Sequence, residues 1–335
     1  MKTVSQRGKM VNGWKRSDTD WFRNCLWGVF THYLTKPETT VDEWNRHVDG
    51  FDTQRLANQL ASVGARYYFI TLGQGSGHYC TPNTAYDKHV RITPSKCSRR
   101  DLVSDLHSAL VPKNIRLLVY VPSDPSWGDR TAYEHLGWQP GPSDKRTDKR
   151  MTDFQRRWEE VLREWSLRWE KKVSGWWVDG CYYADDMYRH LDPPNFRSFA
   201  EAMKAGNPDS IVAFNPGVTI PVISHTEFED YTAGEIAGDL PVGGWGFGEN
   251  PDFCNYGPIK RWVNGAQYHV LIFLGPWWCQ SPPRFPTELV IGYTRYINAH
   301  EGVVTWDVPI EKDGRIPDPF LDQLRAVGNA TGTLK

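Results

Sequence analysis

Almost every widely used catalytic signature is missing from these 335 residues. There is no H-E-x-x-H, no Walker loop and no G-x-S-x-G, which excludes a zincin, a P-loop nucleotide site and a hydrolase nucleophile elbow. Gly73-Gln74-Gly75-Ser76-Gly77 follows an apolar run, as a dinucleotide loop would. It then enters His78, Tyr79, Cys80 and Pro82 instead of opening a helix, so that reading fails too. The six cysteines (Cys25, Cys80, Cys97, Cys181, Cys254, Cys279) form no C-x-x-C pair and no metal-ligand spacing. Scattered through a chain this long, they read as reduced core residues rather than a disulfide framework, and no metal or cofactor is expected. No apolar stretch approaches the ~18 residues of a membrane span. The opening MKTVSQRGKMVNGW has no apolar core of a secretory leader. The expected compartment is therefore the cytoplasm, or the periplasm or exterior should a leader have been removed. An excess of charge is lacking as well: Lys+Arg 39 against Asp+Glu 40 leaves −1. A nearly neutral chain has no electrostatic reason to seek nucleic acid or an anionic membrane. Repeats, low-complexity tracts and interdomain linkers are all absent, and oligomeric state is left open.

What is present is aromatic. The chain carries 16 tryptophans within an aromatic content of 13%. Trp158, Trp165 and Trp169 share one helical face and belong to a core. The surplus suits flat stacking platforms for sugar rings in a cleft.

Apolar runs of strand length alternate with helix-period segments from end to end. The strands are expected at 26–32, 65–71, 115–122, 174–179, 211–215, 228–232, 269–274 and 302–308. Their continuous hydrophobicity fits parallel strands covered on both faces. Between them, Phe51, Leu56, Leu60 and Val63 mark a helical stripe that Gly64 is placed to stop. Leu102, Val103, Leu106 and Leu110 mark another. The longest runs over 153–172, with Thr152 and Gln155 placed as a capping box. Further helices are expected near 194–206, 286–300 and 318–329. Eight strands alternating with helices predict one α/β domain over 1–335, a single (β/α)8 barrel of TIM type over about 21–330, with a doubly wound open sheet as the runner-up. The βα loops are elaborated: 123–150 and 238–258 are too long for plain connectors.

Active residues of such a barrel gather at the C-terminal strand ends. Four polar residues stand there after apolar runs: His32, Asp179, Asn215 and Glu235. Asp179 closes Trp176-Trp177-Val178-Asp179-Gly180; a loop-capping or Arg-paired Asp is the plain alternative. Glu235 belongs to a run of acids in which Glu227 and Glu229 are rivals for any chemical role. Two carboxylates on one barrel mouth, about 5–5.5 Å apart, suit glycoside hydrolysis with retention. The charge on one would raise the pKa of the other and hold it protonated as the acid.

Several segments, in order, resemble the α-L-fucosidases of glycoside hydrolase family 29. Trp27-Gly28-Val29-Phe30-Thr31-His32 is similar to that family's F-G-I-F-I-H-W, and Glu43-Trp44 to its E-W-Y. Phe51-Asp52 with Ala65-Arg66-Tyr67-Tyr68, Arg100-Asp101-Leu102-Val103 and Leu117-Leu118-Val119-Tyr120 resemble its next helix and strand segments. Trp177-Val178-Asp179-Gly180 resembles its W-x-D, Asp230-Tyr231-Thr232-Ala233-Gly234-Glu235 its D-Y-x-T-x-E, and Leu274-Gly275-Pro276 its late N-x-G-P. The resemblance spans about 21–310, with no counterpart of the family's C-terminal β-sandwich. It implies an exo-acting retaining glycosidase for a carbohydrate substrate. Asp179 would be the nucleophile and Glu235 the acid/base, with sugar contacts from His32, Glu43, Trp44, Trp177 and Asn215. Two departures stand out. The family's K-H-H-D-G-F gives way to the stretch around Gln74 and His78, and its N-D-R becomes Asn215-Pro216-Gly217. Gln74, His78 and Trp245 are the candidates to replace the missing contacts. A glycosidase for a sugar other than fucose, and a glycan-binding pseudoenzyme, are the alternatives.

Overall fold

Seven of the eight apolar runs become strands of one parallel sheet. The strands in chain order are β1 (Trp27–Thr31), β2 (Tyr67–Thr71), β3 (Arg116–Pro122), β4 (Gly175–Asp179) and β5 (Ile211–Phe214), a short antiparallel ribbon β6 (Trp262–Val263) and β7 (Ala266–Gln267), then β8 (His269–Phe273) and β9 (Val303–Asp307). The structure, a computed structural model, describes residues 13–139, 150–238, 240–243, 257–258 and 260–334. Sheet order is β5-β4-β3-β2-β1-β9-β8. The helices on the outside are α1 (Asp20–Cys25), α2 (Val41–Asp49), α3 (Thr53–Ser62), α4 (Thr84–Val90), α5 (Leu102–Leu110), α6 (Arg130–Leu136), α7 (Thr152–Trp169), α8 (Ala184–Met187), α9 (Phe196–Met203), α10 (Thr287–Ala299) and α11 (Asp318–Thr331). This is a (β/α) barrel. Its interior is filled by Phe30, Phe69, Leu118, Tyr120, Trp177 and Leu271 among others, so the barrel is packed solid below the mouth.

The run over 228–232 does not become a strand. The segment 230–236 instead fills the wall between β5 and β8 through single contacts. The Asp230 amide donates to the Val212 carbonyl (2.8 Å), Thr232 to Gln267 (3.0 Å), Leu271 to Gly234 (2.9 Å) and Ile236 to Leu271 (3.0 Å). Two local features prevent a regular ladder. The Asp230 carboxylate accepts the Val212 amide at 2.9 Å, taking a donor that a strand carbonyl would use. Gly234 sits at φ +62°, and a Cβ there would run into the His269 carbonyl. Left-handed backbone of this kind breaks strand geometry and favours glycine. The lost ladder is replaced by side chains: Trp177 Nε1 donates to the Ala233 carbonyl at 2.9 Å and Tyr231 Oη to the Trp176 carbonyl at 2.9 Å.

Two other expectations change. The capping box at Thr152 and Gln155 does not form: Thr152 is already the first helical residue of α7, and its N-cap, Met151, makes no side-chain bond. Gln155 turns inward, and its Nε2 donates to the Met187 carbonyl. The tryptophan surplus is mostly core, since ten of the 15 described tryptophans are buried. Trp158, for example, donates to the Pro122 carbonyl at 3.0 Å, anchoring the mouth end of β3. Gly64, by contrast, stops α3 as the stripe predicts, with φ +81°. Cys25, Cys80, Cys97, Cys181 and Cys279 are unpaired thiols; Cys254 lies outside the described residues.

Candidate active site

Asp179 is the last residue of β4, and Gly180 (φ +67°) turns the chain immediately after it. Its two oxygens are separately held. Oδ2 accepts the Tyr120 hydroxyl at 2.5 Å, and Oδ1 accepts Asn215 Nδ2 at 2.9 Å. Tyr120 reaches it because the β3–β4 register sets Tyr120 beside Trp177, where the rings stack at 5.5 Å. Gln74 Nε2 donates to the Tyr120 oxygen at 2.5 Å and lies 3.4 Å from Asp179 Oδ2. A carboxylate bound this way is fixed in position before any ligand arrives.

Glu235 comes from the irregular wall segment. The Gly234 carbonyl before it and the Ile236 amide after it are locked to Leu271 of β8, and the Trp177 indole pins the Ala233 carbonyl two residues upstream. Its Oε2 accepts the same Asn215 Nδ2 at 2.5 Å. One amide nitrogen thus touches both carboxylates, at 2.9 Å and 2.5 Å, so those two oxygens stand no farther apart than the sum, 5.4 Å. Asn215 is completely buried and has no freedom to drift. Its amide donates to the Val178 carbonyl at 2.8 Å and its carbonyl accepts the Cys181 amide at 2.9 Å. Burial, first, and the nearby Asp179 charge, second, push the Glu235 carboxyl up to about 7; the Asn215 bond and the His32 charge pull the other way. Desolvation, and not the neighbouring charge expected from the sequence, is the larger cause.

His32 follows β1, and its Nδ1 donates at 2.8 Å to the carboxylate of Asp307, which ends β9 and is itself buried. Asp307 also accepts the Cys279 amide at 3.0 Å. The imidazole rests against Phe30, Tyr120 and Trp278, with ring centres 4.6, 6.0 and 5.5 Å away. The cluster therefore joins His32, Gln74, Trp177, Asp179, Asn215 and Glu235 of the expected residues.

The others are elsewhere. Glu43 sits in the first turn of α2, where negative charge suits the helix dipole, and pairs with His47 at 3.7 Å. Trp44 is a core residue whose indole donates to the Tyr79 carbonyl at 3.0 Å. His78 is buried against Trp44, and desolvation, with Lys96 adding to it, lowers its imidazole to about 4. None of these three makes a hydrogen bond to the cluster. Trp245 lies outside the described residues. Of the rival acids, Glu229 is fully buried, accepts the His225 and Phe214 amides, and is pushed up to about 8 by desolvation. Glu227 accepts the Thr226 hydroxyl at 3.3 Å. Neither bonds to Asn215.

Four residues of the site escaped the sequence argument: Tyr120, Asp307, Tyr182 and Trp278. Asp307 carried the same signal as Asp179, an acid ending an apolar run. Tyr120 was hidden because a tyrosine inside a greasy strand looks like core. Tyr182, just past β4, leans on Gly217 and is half exposed. Its hydroxyl is pushed up by burial and then by the charges of Asp179 and Glu235. Among the described residues, Trp127 and Trp277 are further widely exposed aromatics on loops at this end, and the Trp127 indole lies against Gly75, next to Gln74.

No family model and no curated protein matches the chain. Among solved structures it is similar to the endo-fucoidan hydrolase MfFcnA4 of glycoside hydrolase family 107 (18% identity, TM-score 0.67, 92% of this chain and 53% of that one). The endo-fucoidan hydrolase P5AFcnA of the same family matches at 15% identity and TM-score 0.66, over 90% of each chain. An α-L-fucosidase described as putative, from Bacteroides thetaiotaomicron, matches at 14% and 0.64, over 98% of this chain and 69% of that one. The chain spans about half the length of the first of these proteins. At such identities the likeness is one of fold, and the fold is the barrel that fucosidases and fucoidan hydrolases share.

Proposed function

We propose that the chain is one catalytic domain of a retaining glycosidase, with Asp179 as nucleophile and Glu235 as acid/base. The observation that carries the proposal is the Asn215 amide, which binds both carboxylates and keeps their facing oxygens within 5.4 Å. That upper bound lies below the ~6.5–9.5 Å that leaves room for water in inverting enzymes, which favours the shorter spacing of retaining ones. In the first step an Asp179 oxygen bonds to the anomeric carbon as the glycosidic bond breaks. The leaving oxygen keeps the electron pair and takes the Glu235 proton. In the second step water gives a proton to Glu235 and attacks the same carbon, releasing Asp179. A carboxyl at about 7 serves both turns near neutral pH. Once Asp179 is an ester, its charge no longer holds that proton, and Glu235 becomes the base. A binding-only protein has no use for this paired arrangement.

The substrate proposal is an α-L-fucoside, supported by the resemblance to family 29 and by the fold shared with fucosidases. Cleavage of a terminal residue is the first form of it. Cleavage within a fucose-rich polysaccharide is the second, favoured by the exposed Trp127, Tyr182 and Trp277 and by the likeness to endo-fucoidan hydrolases. Turnover of aryl α-L-fucoside is compared with aryl α-D-galactoside, aryl β-L-arabinoside and fucoidan. Fucoside cleavage above the other aryl glycosides supports the terminal form, and fucoidan depolymerisation with poor aryl turnover the internal one. No cleavage of any fucose-containing substrate sinks both.

A further inference from the structure

The end of the barrel opposite Asp179 holds a second cavity, of about 290 Å³, at the N-terminal ends of β1, β2 and β3. Two arginines line it. Arg66 immediately precedes β2 and Arg116 opens β3; the register sets Tyr67 beside Arg116, and the Arg116 amide donates to the Arg66 carbonyl at 3.0 Å. Two cations thus share one cavity, an arrangement that costs stability when nothing negative answers it. The cavity lining contains no Asp or Glu. What it offers besides is neutral: the polar Asn24, Asn114 and Thr333, and the apolar Trp21 and Leu26. Both guanidinium groups are held in place. Arg66 Nη2 donates to the Thr333 carbonyl at 2.9 Å, which uses one of its five N–H groups. The Arg116 guanidinium lies 4.4 Å over the Trp21 ring, which fixes its plane and leaves its edge available. The Cys25 thiol on the same wall feels both charges, which pull against the burial that pushes it up to about 12.

We propose that this cavity binds a small molecule through a tetrahedral oxyanion, a phosphate or sulfate group, gripped by Arg66 and Arg116. The planar fork of arginine matches such oxygens, and two forks converging from neighbouring strands supply more donors than a solvent-facing lysine would. The volume exceeds that of the bare ion, so the group would belong to an ester of roughly monosaccharide size. The proposal does not depend on the glycosidase reading, because the site shares no residue with the Asp179 cluster.

The test is titration calorimetry of the full chain with sodium phosphate and with sodium sulfate, at an ionic strength held constant with sodium chloride. Saturable one-to-one binding is expected for at least one of them. Arg116→Gln should weaken it by about tenfold or more, and Arg66→Lys, which keeps the charge but loses the fork, should weaken it less. Preference for phosphate would identify a phosphate ester as the source, preference for sulfate a sulfate ester. Equal affinity would show that oxyanion geometry alone is read. Heats that never saturate, that chloride reproduces, or that Arg116→Gln leaves unchanged would overturn the site.

Discussion

Strand β4 and the wall segment over 230–236 each deliver one carboxylate to the barrel mouth, and they do so by opposite means. β4 is a regular strand, paired on both edges, and Asp179 is simply its last residue. The 230–236 segment has no ladder of its own. It is pinned by isolated backbone contacts, by the Trp177 indole, and by the carboxylate of Asp230. The first carboxylate is met by three side-chain donors and the second by one, Asn215. That asymmetry is what two-step glycoside hydrolysis wants. The nucleophile should be an oriented anion, while the acid should be desolvated enough to keep its proton. Position at a strand end is cheap to encode; a raised pKa requires a particular pocket.

The largest test of this contrast is Asp179→Asn, which removes the anion and keeps the shape. Turnover of an aryl fucoside should fall by roughly 10^4-fold or more. Added azide should restore cleavage and give a product of inverted configuration, seen by proton NMR. Retention of activity within a few-fold would show that β4 carries no nucleophile.

Glu235→Ala comes next, and its effect should depend on the substrate. Poorly activated leaving groups should slow by about 10^2–10^4-fold, and nitrophenyl leaving groups far less in the first step. In the wild type, Glu235 must be protonated to act as acid. kcat/KM should therefore be full below pH 7 and fall as pH rises through about 7. A profile flat from pH 6 to 9 would remove Glu235 from the acid role. An equal loss across leaving groups would make it structural.

Asn215→Ala severs the one atom shared by the two regions. A fall in kcat/KM of about 10–100-fold is expected, from the loss of a charge-assisted bond to Asp179 and of the bond that orients Glu235. Since the Asn215 bond lowers the Glu235 pKa, its loss should also move the basic limb to higher pH. Loss of rate with an unmoved limb would mean that Asn215 serves Asp179 alone.

The smallest expected effect is that of Tyr120→Phe, which touches only the β4 side. kcat should drop by about tenfold, with the basic limb of the pH profile unchanged. A shift in that limb would show the two regions to be coupled through more than Asn215.

Hydrophobic patterning alone determined the alternation of strands and helices, hence the barrel, and with it the strand-end position of Asp179, His32 and Asn215. These are local facts, since a run of buried side chains predicts its own strand and where that strand must end. The sequence also showed Glu235 as a candidate but could not separate it from Glu227 and Glu229. That separation came from the partners each acid meets in the folded chain. The His225 and Phe214 amides consume Glu229 in the interior, whereas Asn215 and the β8 amides hold Glu235 at the mouth. The irregular sixth wall was decided the same way, by the His269 carbonyl facing Gly234 and by Val212 facing Asp230. Trp44 and Glu43 fit a family pattern, yet the packing of α2 turned one into core and left the other paired with His47. Composition and periodicity report whether a residue is buried or exposed. Whether a buried acid is a structural acceptor or a proton donor depends on which distant donors reach it, and only the folded chain brings those together.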